Sequence, residues 1–437
     1  LSILLSLLVP AQAARSPDSA GIITPLGLSY RNSRGLHTSL CRRLRFSSSR
    51  DQLSSIKVAE LALSLIPYSG LRLNVDVDLG ITPTPSTTEV MRLSILAELH
   101  MEMNPEGNLE MVTSTCKPSL EMQSTEEMER STPRFSFHHL GNRGKEETEA
   151  QAFLGRKLCL EISKFLYFPN EQLVSMTVPL PVTPSCQVQY LPLAAPMFSE
   201  QGVVISLQTT FQVAGMAIPL PVSPVPFSIP ELPSSSPFHF VLAFSEHFYT
   251  SLFFALEMAG AFNMTLPSPL TTAAMAQNIT QMGSLFQEDQ AVTLQAVFRS
   301  TPRVVLEEDK AALKLFLTVH VGAGSSAFQS FLSVNADMSA GLLLSASERR
   351  MTISAAVIED VELSLAASDV GPVPAALLEE LFLPTIREEV PAQINAVLSE
   401  GVFLPHVTNF IYVDVNVTIH KDYVLVPCNL QLQVGSG

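Results

Sequence analysis

The sequence predicts an α+β fold in two similar halves, each a sheet of long antiparallel strands with few helices. Three observations carry that reading. Apolar and polar residues alternate strictly over a dozen positions in several segments. A proline-dense stretch at 217–237 divides the 437-residue chain near its middle. A long amphipathic run from Pro374 to Gly401 follows the last long strands. Alternation with period two means one buried and one wet face, as in an antiparallel sheet. A chain of this length fits two domains.

Residues 1–13, LSILLSLLVPAQA, read as the apolar core and Ala11-x-Ala13 cleavage site of a secretory signal peptide, with a buried strand as the alternative. Residues 14–50 are rich in Ser and Arg and lack periodicity, so an irregular, solvated segment is expected there. The first half, 51–216, opens on strands. Leu71, Leu73, Val75, Val77 and Leu79 alternate with polar residues, as do Met91, Leu93, Ile95, Ala97, Leu99, Met101 and Met103. Such strands exceed the usual five or six residues, so the sheet should twist strongly. Glu146 to Leu166 reads as a helix with acidic residues in its first turns, which suits the helix dipole. Alternation returns at 201–213.

The seven prolines of 217–237 forbid central-strand pairing and predict a semi-rigid connector. In the second half, 238–437, Ser245 caps a helix that stops at Gly260. Strands are expected around 291–298, 311–321, 329–338, 341–346, 350–357 and 360–367. In the run after Pro374, residues Leu377, Leu378, Leu381, Ile386, Val390, Ile394, Val397 and Leu398 fall near one helical face. Pro384 and Pro391 lie inside it and should kink it. A final strand pair closes the chain.

Composition narrows the function classes. Apolar residues make up 46% and charged residues 15%, which supports large cores and argues against disorder. No unbroken apolar run reaches the ~20 residues of a membrane-spanning helix. The net charge of −15 divides into −3 over residues 1–236 and −12 over 237–437. Nucleic acid is therefore excluded as a partner, since phosphate binding needs a dense basic face. Anionic headgroups are disfavoured for the same reason. The sequons at Asn263, Asn278 and Asn416 fit a secreted, glycosylated chain.

Enzyme signatures are missing. The sequence has no GxSxG elbow, HExxH helix, P-loop or dinucleotide fingerprint. His138-His139 reads as a polar loop, and GAGSS at 322–326 as a hairpin turn. Asn74-x-Asp76-x-Asp78 lacks the Gly and terminal Glu of a calcium loop and reads as the wet face of a strand. No metal and no cofactor is expected.

Four segments together resemble one family. VAELALSLIPYSGLRLNVDVDLGI is similar to its first long strands, and GRKLCLEISKFL to a helix bearing a Cys. PVSPVPFSIPELPSSSPFHFVLAFSEHFYTSLFFALEMAGAFNMTL is similar to its inter-domain linker and first C-domain helix. AGSSAFQSFLSVNADMSAGL and the tail 372–430 are similar to the rest of its C-domain. The family is that of bactericidal/permeability-increasing protein, lipopolysaccharide-binding protein and PLUNC, in its long two-domain form.

The resemblance implies a boomerang of two barrels, each of long twisted strands wrapped on long kinked helices, joined by a central sheet. It implies a Cys116–Cys159 disulfide and an apolar pocket for acyl chains in each barrel. The expected ligand is a phospholipid-like lipid, with transient contact to a membrane surface, no obligate protein partner, and an innate-immune or mucosal setting. Candidate pocket residues are Phe248, Leu252, Phe253, Leu256, Leu381, Ile386, Val390 and Ile394; ordinary core packing demands the same residue types. Two departures stand out. The long apolar N-terminal helix of the family is not legible in 14–50, and the basic tip used to capture lipopolysaccharide is replaced by a near-neutral first half. The alternative is a secreted interaction or structural protein whose pockets have filled with side chains.

Overall fold

The alternating segments become two long-stranded antiparallel sheets, with a third sheet between them. The computed structural model describes residues 16–31, 53–81, 89–121, scattered positions from 155 to 174, 177–219, 227–233, 235–262, 264–324, 328–406 and 410–433. The expected signal segment, Cys41, His138-His139, Asn263 and most of the 146–166 helix lie outside the described residues.

In chain order the first half runs through β1 (Ser19–Ile23), α1 (Pro25–Arg31), β2 (Leu53–Ile66), β3 (Gly70–Ile81), β4 (Glu89–Met103) and β5 (Leu109–Glu121). It continues with β6 (Leu180–Thr183), β7 (Cys186–Pro192), β8 (Met197–Ser199), β9 (Gly202–Val213) and β10 (Met216–Ala217). The second half opens on β11 (Phe240–Ser245), α2 (Glu246–Met258), β12 (Met264–Thr271), α3 (Thr272–Ala276) and α4 (Met282–Leu285). Then come β13 (Ala291–Glu307), β14 (Lys310–Ala323), β15 (Gln329–Ser347), β16 (Arg350–Ser368) and α5 (Ala375–Val397). β17 (Val402–Phe403), β18 (Phe410–Val413), β19 (Thr418–His420) and β20 (Tyr423–Leu432) finish the chain.

One sheet has the order β2-β3-β4-β5, another β12-β13-β14-β15-β16-β17. In the first, Leu71, Leu73, Val75 and Val77 are buried while Arg72 and Asn74 are exposed, as alternation requires. The central sheet has ten strands and takes them from both halves, in the order β18-β20-β11-β1-β9-β7-β6 along its main path.

The structure departs from the sequence pattern in three places. Residues 14–50 do not remain irregular throughout: Ser19–Ile23 is a strand paired with both β9 and β11. Its SAGII sequence is fully flanked, so it shows no alternation to read. α1 follows at once, so the first half does have a helix after its first strand. Thr24 caps it, accepting from Gly27 N at 3.1 Å, as Ser245 accepts from Phe248 N to cap α2. Gly27 is required there, because a Cβ would lie 2.1 Å from the carbonyl oxygen of His239. Second, the expected strands at 329–338 and 341–346 are one strand, β15, and those at 350–357 and 360–367 are one strand, β16. Register shifts around Ala340 break the period that the pattern relied on. Third, the tail forms four strands rather than two, split by turns at Asp414 and Asp422, both with positive φ.

α5 runs unbroken through Pro384 and Pro391. Each proline frees the carbonyl four residues back. Those carbonyls belong to exposed residues, Glu380 and Arg387, where water can take the bond. The proline-rich connector has a packing role: Ile229 and Leu232 cover Ile22, Val204 and Val241 on one face of the central sheet.

A duplication is visible in the hydrogen bonds. Asn395 of α5 accepts from Ala355 N at 2.7 Å and donates to Ala355 O at 3.1 Å, beside a bulge in β16. Asn170, at a helical position, makes the same pair of bonds to Met111 of β5 at 2.8 and 3.2 Å. In each half a helix asparagine satisfies both backbone groups of the last long strand.

The expected disulfide joins Cys116 of β5 to Cys159, 43 positions further along the sequence. Closing a loop of that size restricts the unfolded chain by about 4 kcal/mol in the chain-entropy model. The double variant Cys116→Ser/Cys159→Ser should lose stability of that order in urea denaturation. Asn395→Ala leaves two strand groups without a partner and should cost about 1–3 kcal/mol, measured the same way.

Candidate functional site

The candidate pocket residues sit on α2 and α5. α2 is fastened at its start. Glu246 Oε2 accepts from Leu306 N at 2.9 Å, and Thr250 Oγ1 accepts from Val304 N at 3.0 Å. These two side chains, four positions apart, hold one helix face along β13. The residues between and beyond them turn inward: Phe248, Leu252, Phe253 and Leu256 are all buried. From α5, Ile386, Val390 and Ile394 are buried and Leu381 is half-buried.

The candidates do not form one surface. Phe248 is the centre of an aromatic cluster, with ring centroids 4.7 Å from Phe244, 5.0 Å from Tyr249, 6.3 Å from Phe211 and 6.4 Å from Tyr190. Two of those rings, Tyr190 and Phe211, come from the first half, so Phe248 belongs to the joint between the halves. Phe253 points into another group, stacked on Phe262 at 6.2 Å, which meets Phe298 edge-on at 5.8 Å. The helical spacing of Phe248 and Phe253 could not separate these two environments.

Sequence reasoning missed several groups. Phe382 of α5 is fully buried, yet it lay outside the stripe assigned from periodicity. Tyr249 is buried and donates its hydroxyl to Met351 Sδ at 3.3 Å; burial raises its pKa far above the usual range. Asp18 is the most unusual. It is 1% exposed, and its Oδ1 accepts from Thr209 N and Thr209 Oγ1 at 2.9 Å and from Ser19 Oγ at 3.1 Å. Oδ2 has no partner. Burial pushes the carboxyl up to about 6 from its usual 3.8, against the hydrogen bonds that pull it down. No sequence signal marks it; only the central sheet does.

His239 is the counterpart of Asp18 in the second half. Its Nδ1 accepts from Leu430 N at 3.1 Å, a bond spanning 191 positions, as does the Asp18–Thr209 bond. Burial lowers its pKa.

Among the described residues, no group of three or more His, Cys, Asp or Glu side chains could hold a metal. Asp78 is paired with Arg92 at 2.8 Å on the wet face of β3. Cys186 and Cys428 are buried thiols, pushed up to about 11 and 12 by desolvation. Asn278 and Asn416 are exposed. No described helix is long and apolar enough to cross a membrane.

Residues 183–432 match the model of the LBP / BPI / CETP family, C-terminal domain. The chain belongs to this family. It is 56% identical to Protein TENP of Gallus gallus, over 98% of both chains. It is 25% identical to BPI fold-containing family B member 2 of Homo sapiens, over 99% of this chain and 98% of that protein. The crystal structure of lipopolysaccharide binding protein aligns over 96% of this chain and all of that one, with a TM-score of 0.55 at 18% identity. At that identity the structural match speaks for the fold, and the fold is the one the sequence predicted.

Asp18 carries a pH dependence whose sign is fixed. Its native pKa is raised, so the folded chain holds this proton more tightly than the unfolded chain. The resulting stability is present below pH 3.8 and is lost as pH rises through about 6. Asp18→Asn removes that loss. It should leave stability near pH 4 little changed and raise it by up to about 3 kcal/mol at pH 7.5, as read by urea midpoints at the two pH values.

Proposed function

We propose that this protein is a secreted, non-enzymatic lipid carrier that shelters acyl chains between its long sheets and its inward-facing helices. The observation that carries the reading is the family membership, together with helices whose buried residues are mainly apolar. Burying hydrocarbon contributes about 0.8 kcal/mol per CH₂, so a 16-carbon chain supplies on the order of 10 kcal/mol before the costs of association. Few polar contacts are then needed. α2 and α5 supply the expected lining through Leu252, Phe253, Leu256, Leu381, Ile386, Val390 and Ile394, while Phe248 stands apart in the joint.

The first half is a second candidate. Its strand, cap and helix repeat those of the second half. The acidic balance argues for a neutral or zwitterionic phospholipid rather than lipopolysaccharide. Secretion is supported by the N-terminal segment, by the disulfide, and by the exposed sequons at Asn278 and Asn416.

A second reading has one observation in its favour. The ring series Phe253–Phe262–Phe298 and the pair Phe286–Phe331 occupy interior volume in the second half. A protein whose pockets had filled would act through its acidic surface instead. Native mass spectrometry with lipid extraction decides between them. Co-purifying acyl lipid is expected, and a delipidated protein that takes up no fluorescent acyl probe overturns the proposal. Leu381→Arg places a charge on a half-buried part of the lining, and probe affinity should fall by about tenfold or more with the thermal midpoint little changed.

A further inference from the structure

The two halves of the fold offer an internal control for one exposed side chain. In the first half, the turn between β2 and β3 puts Tyr68 in the left-handed region, at φ 63°. Its N–H donates to the carbonyl of Phe198 in β8 at 2.8 Å. In the second half, the turn between β13 and β14 puts Asp309 at φ 59°, and its N–H donates to the carbonyl of Ile419 in β19 at 3.0 Å. Backbone conformation and anchoring bond are the same, so the fold demands a left-handed residue here and nothing more. Asp tolerates that region; a bulky aromatic side chain is rare in it.

The side chains around the two turns differ in kind. At the second-half turn, Glu307, Glu308, Asp309 and Lys310 are all charged and exposed, and Glu308 pairs with His420 at 3.0 Å. At the first-half turn, residues 66–70 and 194–199 contain no charged residue. Tyr68 is 81% exposed, and Met197, beside its anchor Phe198, is 59% exposed. A strained backbone that displays an aromatic ring to water is not explained by folding stability.

We propose that the Tyr68–Met197 knob is where the protein seats on a zwitterionic lipid surface. The choice of partner rests on the lipid-carrier reading. Three features favour lipid over a protein partner or a second copy. Two protruding side chains fall well short of the roughly 800 Å² per partner of a stable protein interface. A tyrosine, apolar in body and polar at its tip, suits the boundary between headgroups and acyl chains. The knob carries no charge, so a chain of net charge −15 can present it to a surface without fixed countercharge.

The chain contains no tryptophan, so Tyr68→Trp and Asp309→Trp are each single-tryptophan reporters. Adding phosphatidylcholine vesicles should shift the emission of Tyr68→Trp to the blue and leave Asp309→Trp unchanged. Tyr68→Asp should reduce vesicle flotation at least several-fold, with the thermal midpoint kept and uptake of a soluble acyl probe intact. No shift at Tyr68→Trp, or an equal shift at both turns, overturns the proposal. A shift that grows with protein concentration in the absence of vesicles also overturns it and assigns the knob to self-association. Loss of acyl-probe uptake in the unmodified protein would count against the carrier reading alone.

Discussion

The architecture depends on one strand pair. β1 and β11 run antiparallel at the middle of the ten-stranded sheet, from Ser19 opposite Phe244 to Ile23 opposite Phe240. Each is the first described strand of its half, and each leads through a hydroxyl cap into a helix that leaves the sheet. The ladder is closed at both ends by matching bonds, Thr24 N to His239 O and Ser245 N to Asp18 O. Everything else is arranged about this pair: β9 flanks β1, β20 flanks β11, and the two long-stranded sheets extend from their opposite ends. Backbone groups buried this deeply must pair, so the two halves cannot separate here without exposing a strand edge in each.

Equivalence at this joint extends to side chains but not to chemistry. Asp18 and His239 occupy matching places and accept from matching backbone N–H groups. The carboxylate accepts three donors on one oxygen; the imidazole accepts with one nitrogen and must be neutral there to do so. Acidification therefore acts oppositely on the two. Protonating Asp18 relieves a buried charge, while protonating His239 at Nδ1 removes the acceptor that Leu430 needs. The duplicated backbone tolerates both solutions because each satisfies the same N–H.

The same distinction between scaffold and side chain governs the candidate site. A left-handed turn, a helix cap and an asparagine clamp recur in both halves because backbone groups require them. The apolar faces of α2 and α5 are required as well, whether they meet lipid or one another. Burial alone cannot assign Leu252 or Val390 to a ligand, since dispersion and desolvation reward either contact alike. The aromatic contacts do separate two of the candidates: they withdraw Phe248 into the joint and set Phe253 in a different ring group.

Much of the fold was legible in the sequence, because the long strands announce themselves by period two and the helices by their caps. The strands at 70–81, 89–103 and 202–213, the capped helix after Ser245 and the long helix after Pro374 follow from local pattern alone. The Cys116–Cys159 pairing came from family resemblance. What local pattern could not show is whatever depends on partners distant in sequence. SAGII, buried on both sides, carries no alternation, so its place at the centre of the sheet emerges only from pairing with residues 180–188 and 217–225 positions away. Bulges in β15 and β16 broke the period and made two strands look like four. Asp18 reads as one polar residue among many until the sheet closes around it and removes its water. Sequence determined which segments were strands and helices and which faces were apolar, because those are local properties of the chain. Tertiary structure alone decided which faces meet, which polar groups lose solvent, and which ring stays in water, because each of these is a property of neighbours the chain brings from far away.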